Sequence, residues 1–333
     1  MHKKRKTTLW VALAVTLVIC GTAYTLANRY LIEHVEVANV SGSPSSSPTE
    51  NAAAQPEEAE ISALSTENNL LEAESDSAVM DVIIADEWNY QSASLSIRIR
   101  QVSDGSGANK VTYYIADVTL SDATQLASAF ADDSFGRNII EYTSVIAEQN
   151  DAIFAINGDY YGFRTDGIII RNGTVYRDIP ARIGLAFYRD GSMLIYDETQ
   201  TSAEELVENG VWNTLSFGPA LLQNSDIVEN LGSVEIDNNL GNHSIQGSNP
   251  RTGVGIISAN HFVFIVVDGR SQGYSRGLTL NEFALLFQSL GCTDAYNLDG
   301  GGSSTMYFHG RVVNNPLGRG QERGTSDILF IGD

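Results

Sequence analysis

Three two-residue turns constrain the fold of this chain more tightly than any other feature of its sequence. Asn172-Gly173 sits between residues 168–171 and 174–177, Asp190-Gly191 between 185–188 and 192–196, and His309-Gly310 between 305–308 and 311–313. Asn-Gly and Asp-Gly suit the positive φ of tight hairpin turns, so antiparallel strand pairs are expected at these places.

The stretches around them alternate between two periods. Residues 94–102 and 111–120 alternate as strands do, whereas 123–130 and 137–149 carry helical apolar spacing. Residues 203–208 and 280–290 read as further helices. The expectation is an α+β domain, a mixed sheet with several β-hairpins and interspersed helices, without internal repeats. With 333 residues, 43% of them hydrophobic, the chain has enough apolar material for a sizeable core, and wholesale disorder is excluded.

The N-terminal quarter has a different composition. After Lys3, Lys4, Arg5 and Lys6, residues 9–26 are apolar with mild interruptions, long enough to approach a single transmembrane helix. Basic residues before it keep the N-terminus cytoplasmic. A cleaved signal peptide, with secretion of the remainder, is the alternative expectation. Residues 30–97 then carry thirteen acidic side chains and no Lys or Arg. Their Ser, Glu and Pro content reads as a disordered tether. The expected division is therefore 1–30 basic stub and membrane anchor, 31–85 acidic tether, and 86–333 folded catalytic domain.

Charge and cysteine usage remove several functions. The formal charge is -21, which disfavours nonspecific nucleic-acid binding because phosphates require basic side chains. Only Cys20 and Cys292 are present, and the second stands alone in the folded region, so neither an internal disulfide nor a Cys-rich zinc site is expected there. The five histidines show no metal-ligand spacing.

Polar residues gather directly after apolar strands in four segments. These are Asn157-Gly158-Asp159-Tyr160-Tyr161 with Asp166 close behind, Asn249-Pro250-Arg251-Thr252-Gly253, Asp268-Gly269-Arg270-Ser271, and Asn297-Leu298-Asp299-Gly300-Gly301-Gly302-Ser303-Ser304. A carboxylate and a Gly-rich turn at a strand end aim side chains and bare amides into a shared cleft. Each segment also has a plainer reading, since Asp-Gly turns are common for purely conformational reasons. Thr279-Leu280-Asn281-Glu282 matches a capping box, which competes with a catalytic role for Glu282. Gly273-Tyr274-Ser275-Arg276-Gly277 fits a nucleophile-elbow pattern, but Ser275 lies eight residues past the expected strand end, so a serine hydrolase is disfavoured.

As an ordered set, the four segments resemble the phosphodiester glycosidase family, from about residue 90 to the C-terminus. The resemblance implies hydrolysis of a sugar 1-phosphodiester, N-acetylglucosamine-like, at the anomeric carbon. The matching residues give the candidates. Catalytic carboxylates are Asp268, Asp299, Glu282, Asp159 and Asp166, with Asp268 and Asp299 preferred because each directly follows a strand. Substrate contacts are Asn157, Tyr160, Arg251, Arg270, Ser271, Asn297, Gly300, Gly301, Gly302, Ser303 and Ser304, the arginines forking onto phosphate oxygens. No cofactor is required on this reading. A Ca²⁺- or Mg²⁺-dependent phosphodiesterase and a noncatalytic glycan-binding module are the alternatives. An outward-facing, membrane-anchored enzyme would meet glycosyl-phosphate polymers of a wall or extracellular polysaccharide.

Overall fold

In the computed structural model, which describes residues 2–36, 83–236 and 245–332, with side chains from residue 15 onward, the alternating stretches become the centre of a nine-stranded sheet. Its spatial order is Asp226–Ile227, Ala220–Gln223, Asp294–Asn297, Arg251–Ser258, His261–Val267, Val111–Leu120, Leu95–Asp104, Asn89–Gln91 and Ile84–Ala85. A second sheet of five strands runs Arg311–Val312, Met306–Phe308, Ala152–Asn157, Asp327–Gly332 and Leu126–Phe130. Each described pairing in these two sheets is antiparallel, because short turns join many of the neighbours, so the mixed sheet expected from sequence resolves into antiparallel ones.

The two sheets pack face to face. Ile97, Ala116, Val118, Phe262, Phe264 and Val254 from the first meet Phe154, Ile156, Met306, Phe308 and Leu329 from the second in one buried core. Alternation along each strand then leaves a second apolar face on each sheet. Helix Leu280–Ser289 covers the outer face of the larger sheet through Leu280, Phe283, Ala284 and Phe287, the i, i+3, i+4, i+7 stripe of its sequence. Each Phe buried in this way contributes about 1.5–3 kcal/mol relative to exposure. Helix Thr143–Gln149 covers the smaller sheet with Ile146 and Ala147. The result is an α+β stack of helix, sheet, sheet and helix.

The hairpins form where the turns predict them. Arg171 pairs with Thr174 around Asn172 and Gly173, both at positive φ, and Phe308 pairs with Arg311 around His309 and Gly310, again both positive. Ile183–Tyr188 pairs with Met193–Asp197. Two helical expectations fail. Residues 126–130 form a strand rather than a helix, because pairing with the last strand, Asp327 with Phe130 through Ile331 with Leu126, overrides local spacing. Residues 137–142 are not helical either: Asn138 is left-handed, and helix begins only at Thr143.

The N-terminal helix spans His2–Tyr30. Among the described residues no helix is long and apolar enough to cross a membrane, and the side chains of the first half of the expected anchor lie outside those described. Beyond the helix the chain docks on the domain. His34 and Val35 pair with Arg137 and Gly136, the Asn138 amide donates to Ile32 O at 2.7 Å, and the Glu36 amide donates to Phe135 O at 2.9 Å. Gly136 permits this approach, since a β-carbon there would stand 2.1 Å from the His34 carbonyl oxygen. The remaining acidic segment, residues 37–82, lies outside the described residues.

Candidate active site

Strand register brings the four polar segments to one end of the stack. Arg251 lies opposite Val267, so residues 249–251 and 268–270 leave the larger sheet side by side, and Gly253 opposite Asn297 sets Leu298 and Asp299 beside them. The smaller sheet contributes Asn157 at the end of Ala152–Asn157. Asn157 spans the two sheets: its side-chain amide donates to Asp299 O at 2.8 Å, and its Oδ1 accepts from Thr252 Oγ1 at 2.7 Å and from the Thr305 amide at 3.2 Å. This cross-sheet bracket fixes where the Asp299 turn begins.

A cavity opens above that turn. Asn297, Asp299, Gly300 and Gly301 line it together with the cationic Arg251, Arg270 and Arg323 and the apolar or aromatic Tyr160, Phe217, Ile236 and Ile245. Asp299 is the carboxylate of this lining. Its Oδ1 accepts the Gly300 amide at 2.9 Å and its Oδ2 faces Arg323 Nη2 at 3.3 Å. Burial raises its carboxyl above the usual range, while Arg323, a hydrogen bond to Ser303 and the Gly300 amide pull the other way. The Asn297 amide donates to Gly218 O at 2.8 Å, leaving Oδ1 buried with no partner at the cavity surface. A buried acceptor of this kind calls for a donor.

The three arginines crowd one another. Burial and then the neighbouring Arg323 depress Arg270, and burial and then Arg270 bring Arg251 down to about 10. Burial is the larger cause in both, and the neighbouring like charge adds to it. Arg270 is itself held in the left-handed region at φ +56, with Nε and Nη2 donating to Asn249 Oδ1 at 3.2 and 2.8 Å. Strain of this type costs of order 1–3 kcal/mol and persists where packing enforces it. Gly301, at φ +66, is the other half of the arrangement: a β-carbon would come within 3.2 Å of Arg270 Nη1. Arg251 is mostly committed to backbone, donating to Leu278 O at 2.9 Å, Ile245 O at 2.5 Å and Gly247 O at 2.7 Å, so it shapes the wall as well as charging it.

Other sequence candidates lie away from this lining. Asp268, the other preferred carboxylate, accepts from Asn314 Nδ2 at 2.9 Å, Tyr274 OH at 2.8 Å and the Asn315 amide at 3.0 Å; burial raises its carboxyl. Glu282 completes the capping box with Thr279 and pairs with Arg276 at 2.6 Å, which together hold it at about 2. Asp159 accepts the Tyr160 amide at 2.7 Å and the Ser216 amide at 2.6 Å, and faces Arg171 at 3.7 Å. Asp166 pairs with Arg182. Ser303 Oγ accepts from Arg323 at 2.9 Å, and Gly302 packs beneath the same arginine. The Ser304 carbonyl receives Asn314, and the Ser271 backbone pairs with Ser275. Ser275 of the elbow-like motif is buried, accepting from the Thr112 amide at 3.0 Å and donating to Asp268 O at 2.5 Å.

Arg323, Phe217, Ile236 and Ile245 are cavity residues that sequence reading missed. Arg323 follows a Gly-rich stretch near the C-terminus and reaches the site only because Gly302 O accepts its amide at 3.1 Å. Phe217 directly precedes the Gly218-Pro219 cis bond, in a segment outside the four polar ones. Among the described residues, no group of three or more His, Cys, Asp or Glu side chains converges in a way that suits a metal ion.

Comparison with known proteins adds to this geometry. The family profile described as phosphodiester glycosidase matches residues 150–332, more than half the chain. The SPbeta prophage-derived protein YomE of Bacillus subtilis strain 168 is 32% identical over 206 residues, covering 59% of this chain; the chain spans 30% of that relative's length. The zebrafish N-acetylglucosamine-1-phosphodiester alpha-N-acetylglucosaminidase catalytic domain, auto-inhibited by its pro-peptide, superposes with a TM-score of 0.58 at 22% identity, over 72% of this chain and 84% of that one. A hypothetical protein from Synechocystis superposes at 0.53 with 14% identity, over 71% and 62% of the two chains. At these identities the structural likenesses establish the fold.

Proposed function

The chain belongs to the phosphodiester glycosidase family, and from that membership we propose that it hydrolyses the glycosidic bond of a sugar 1-phosphodiester, releasing the sugar and leaving a phosphomonoester. The observation that carries this reading is that one buried carboxylate, Asp299, shares a cavity with three arginines and with apolar and aromatic side chains. Arg270 and Arg323 receive the phosphate oxygens, with Arg251 behind them. Tyr160 and Phe217 give the sugar an aromatic wall, and Asn297 Oδ1 accepts one of its hydrogens.

The reaction breaks the bond from the anomeric carbon to the bridging oxygen. Its electron pair goes to the phosphate, which departs as a dianion, and water supplies the new hydroxyl and loses one proton. A phosphate leaving group needs little protonation, so the single carboxylate of this lining suffices. Asp299 takes the proton of the attacking water or meets the developing oxocarbenium carbon, and the arginines stabilise the charge that accumulates on the phosphate.

The N-terminal residues support a location. Lys3–Lys6 before the apolar residues 9–26 favour an anchor with the catalytic domain outside the cell, where wall polymers and extracellular polysaccharides carry glycosyl phosphates. Membrane fractionation with protease protection tests this part.

Product analysis tests the chemistry. The full chain is incubated with an N-acetylglucosamine 1-phosphodiester, with and without chelator, beside Asp299→Asn. Free sugar plus phosphomonoester, insensitive to chelator and lost in the variant, is the expected result. Sugar 1-phosphate lost with chelator would instead assign cleavage of the P–O bond by a metal-dependent phosphodiesterase. Binding without turnover would assign a glycan-binding module.

A further inference from the structure

The loop that carries Tyr160 has a second side. Residues 162–166 line another cavity, of about 380 Å³, completed by Arg137 and by Arg29 from the last turn of the N-terminal helix. Arg29, Arg137 and Arg164 are among its lining residues, and Asp166, which Arg182 binds, is the acidic one. The docked N-terminal segment builds this site. Glu36 pairs with Arg137 at 3.4 Å and with Arg177 at 3.1 Å, and Arg177 donates in turn to Tyr161 O at 3.2 Å and Asp166 O at 3.3 Å, bracing the loop from below.

The two cavities share a structural member. Arg164 lines the second, yet its guanidinium lies 5.2 Å from the ring centroids of both Tyr160 and Phe217, which line the first. Its donors reach Ser216 O at 3.0 Å and Ile236 O at 3.3 Å. Arg164 thus stands between the Asp299 cavity and a second recess lined by arginine.

We propose that this recess binds a phosphate of the substrate next along the chain from the one being cleaved, so that the substrate class is a polymer with consecutive sugar or polyol phosphodiesters. The inference rests on the glycosidase reading above and names its substrate. The chemistry is the same at both places: arginine forks suit phosphate oxygens, and a second phosphate engaged on the same chain adds affinity without touching the reacting carbon. The ring of Phe163 supplies an apolar surface for the unit between the phosphates.

The test is equilibrium binding to the full chain in detergent, carrying Asp299→Asn to stop turnover. Two fluorescent probes are compared, one with a single N-acetylglucosamine 1-phosphodiester and one with two consecutive phosphodiesters. The two-phosphate probe is expected to bind about tenfold tighter, the scale of one or two charge-assisted hydrogen bonds. Adding Arg137→Gln, or Gly136→Ala to displace the docked segment, is expected to remove that advantage. Unchanged affinity for the single-phosphate probe controls for folding.

Equal affinity for the two probes, or an advantage that survives both substitutions, overturns the proposal. Equal probe affinities together with Arg137-dependent binding of phosphatidylglycerol vesicles would overturn it in favour of a lipid headgroup site. Failure of the glycosidase reading looks different. The wild-type chain would then release no sugar from either probe, while the Arg137-dependent binding difference would persist.

Discussion

Arg323 reaches Asp299 across the cavity with Nη2 3.3 Å from Oδ2, and its other contacts, to Ser303 Oγ at 2.9 Å and Gly300 O at 3.2 Å, tie the same guanidinium to the turn that follows. One side chain thus charges the cradle and sets the ionisation of the carboxylate. Burial raises the Asp299 carboxyl and Arg323 lowers it, so removing the arginine moves it further up. A carboxylate that must be ionised loses activity as pH falls through its pKa. Arg323→Gln is therefore expected to shift the acid limb of kcat/KM to higher pH, beyond its loss of phosphate affinity. Asp299→Asn is expected to lower kcat by about 10²–10⁴-fold at every pH. A pH–rate profile of both variants beside wild type checks the pair, and an unmoved acid limb in Arg323→Gln would remove Asp299 as the group that titrates.

Gly301 separates the contribution of position from that of charge. Alanine there keeps every guanidinium but presses on Arg270 at 3.2–3.3 Å and must adopt φ +66. The backbone cost of the left-handed conformation is about 1–2 kcal/mol. The expected kinetic result is a rise in KM of about tenfold with a smaller change in kcat, since Arg270 is displaced from the phosphate while Asp299 stays in place. Steady-state kinetics with urea denaturation resolves the two effects.

Glu282 yields the opposite pattern. Its carboxylate accepts the Thr279 amide at 2.9 Å and is held at about 2, chiefly by Arg276. Glu282→Ala is expected to keep kcat/KM within about twofold and to lose about 0.5–2 kcal/mol of stability, the usual scale of a helix cap. The folded carboxyl lies below its unfolded value near 4.3. Its stabilisation is therefore present above that pH and is lost as pH falls towards 2. Urea titrations from pH 7 to pH 3 are expected to converge for wild type and variant. A large loss of kcat without loss of stability would restore a catalytic role.

The sequence displays its turns and its strand-end motifs because each depends on a few adjacent residues. Asn172-Gly173 needs only its own positive φ, and Asn297-Leu298-Asp299 needs only the end of its strand. Asp299, Arg270 and Asn297 were legible for that reason. Which carboxylates share the cavity was not. Asp268 and Asp299 both directly follow strands, yet Asn314, Tyr274 and the Asn315 amide enclose the first, and these contacts come from chain neighbours as far as 47 residues away. Arg323 enters through long-range packing of a Gly-rich segment that has no periodicity. The strand at 126–130 was misread as helix because its apolar spacing suits both periods, and only its pairing with Asp327–Gly332 decides between them.

Asp159 and Asp327 provide the last test, because the structure gives them an architectural use. Both are buried, and both face Arg171, at 3.7 Å and 2.7 Å. Asp327 Oδ1 also accepts the Asp159 amide at 2.8 Å, so the trio fixes the turn that carries Tyr160 into the cavity. Two carboxylates share one guanidinium, and burial pushes Asp327 up to about 6 even with Arg171 beside it. Breaking a buried pair by removing one partner costs about 3–5 kcal/mol, since the remaining charge has no counterion. Arg171→Leu is therefore expected to lose that much stability near neutral pH. The sign of its pH dependence follows from linkage. Burial already raises the Asp327 carboxyl and Arg171 holds it down, so without Arg171 it moves further above its unfolded value; the variant is least stable at high pH and recovers as pH falls and that acid becomes neutral. Equilibrium urea denaturation of wild type and Arg171→Leu between pH 8 and pH 4.5 is expected to show the gap narrowing towards the acid end. A gap that stays constant or widens there would mean that Asp159 and Asp327 are not the groups that Arg171 neutralises.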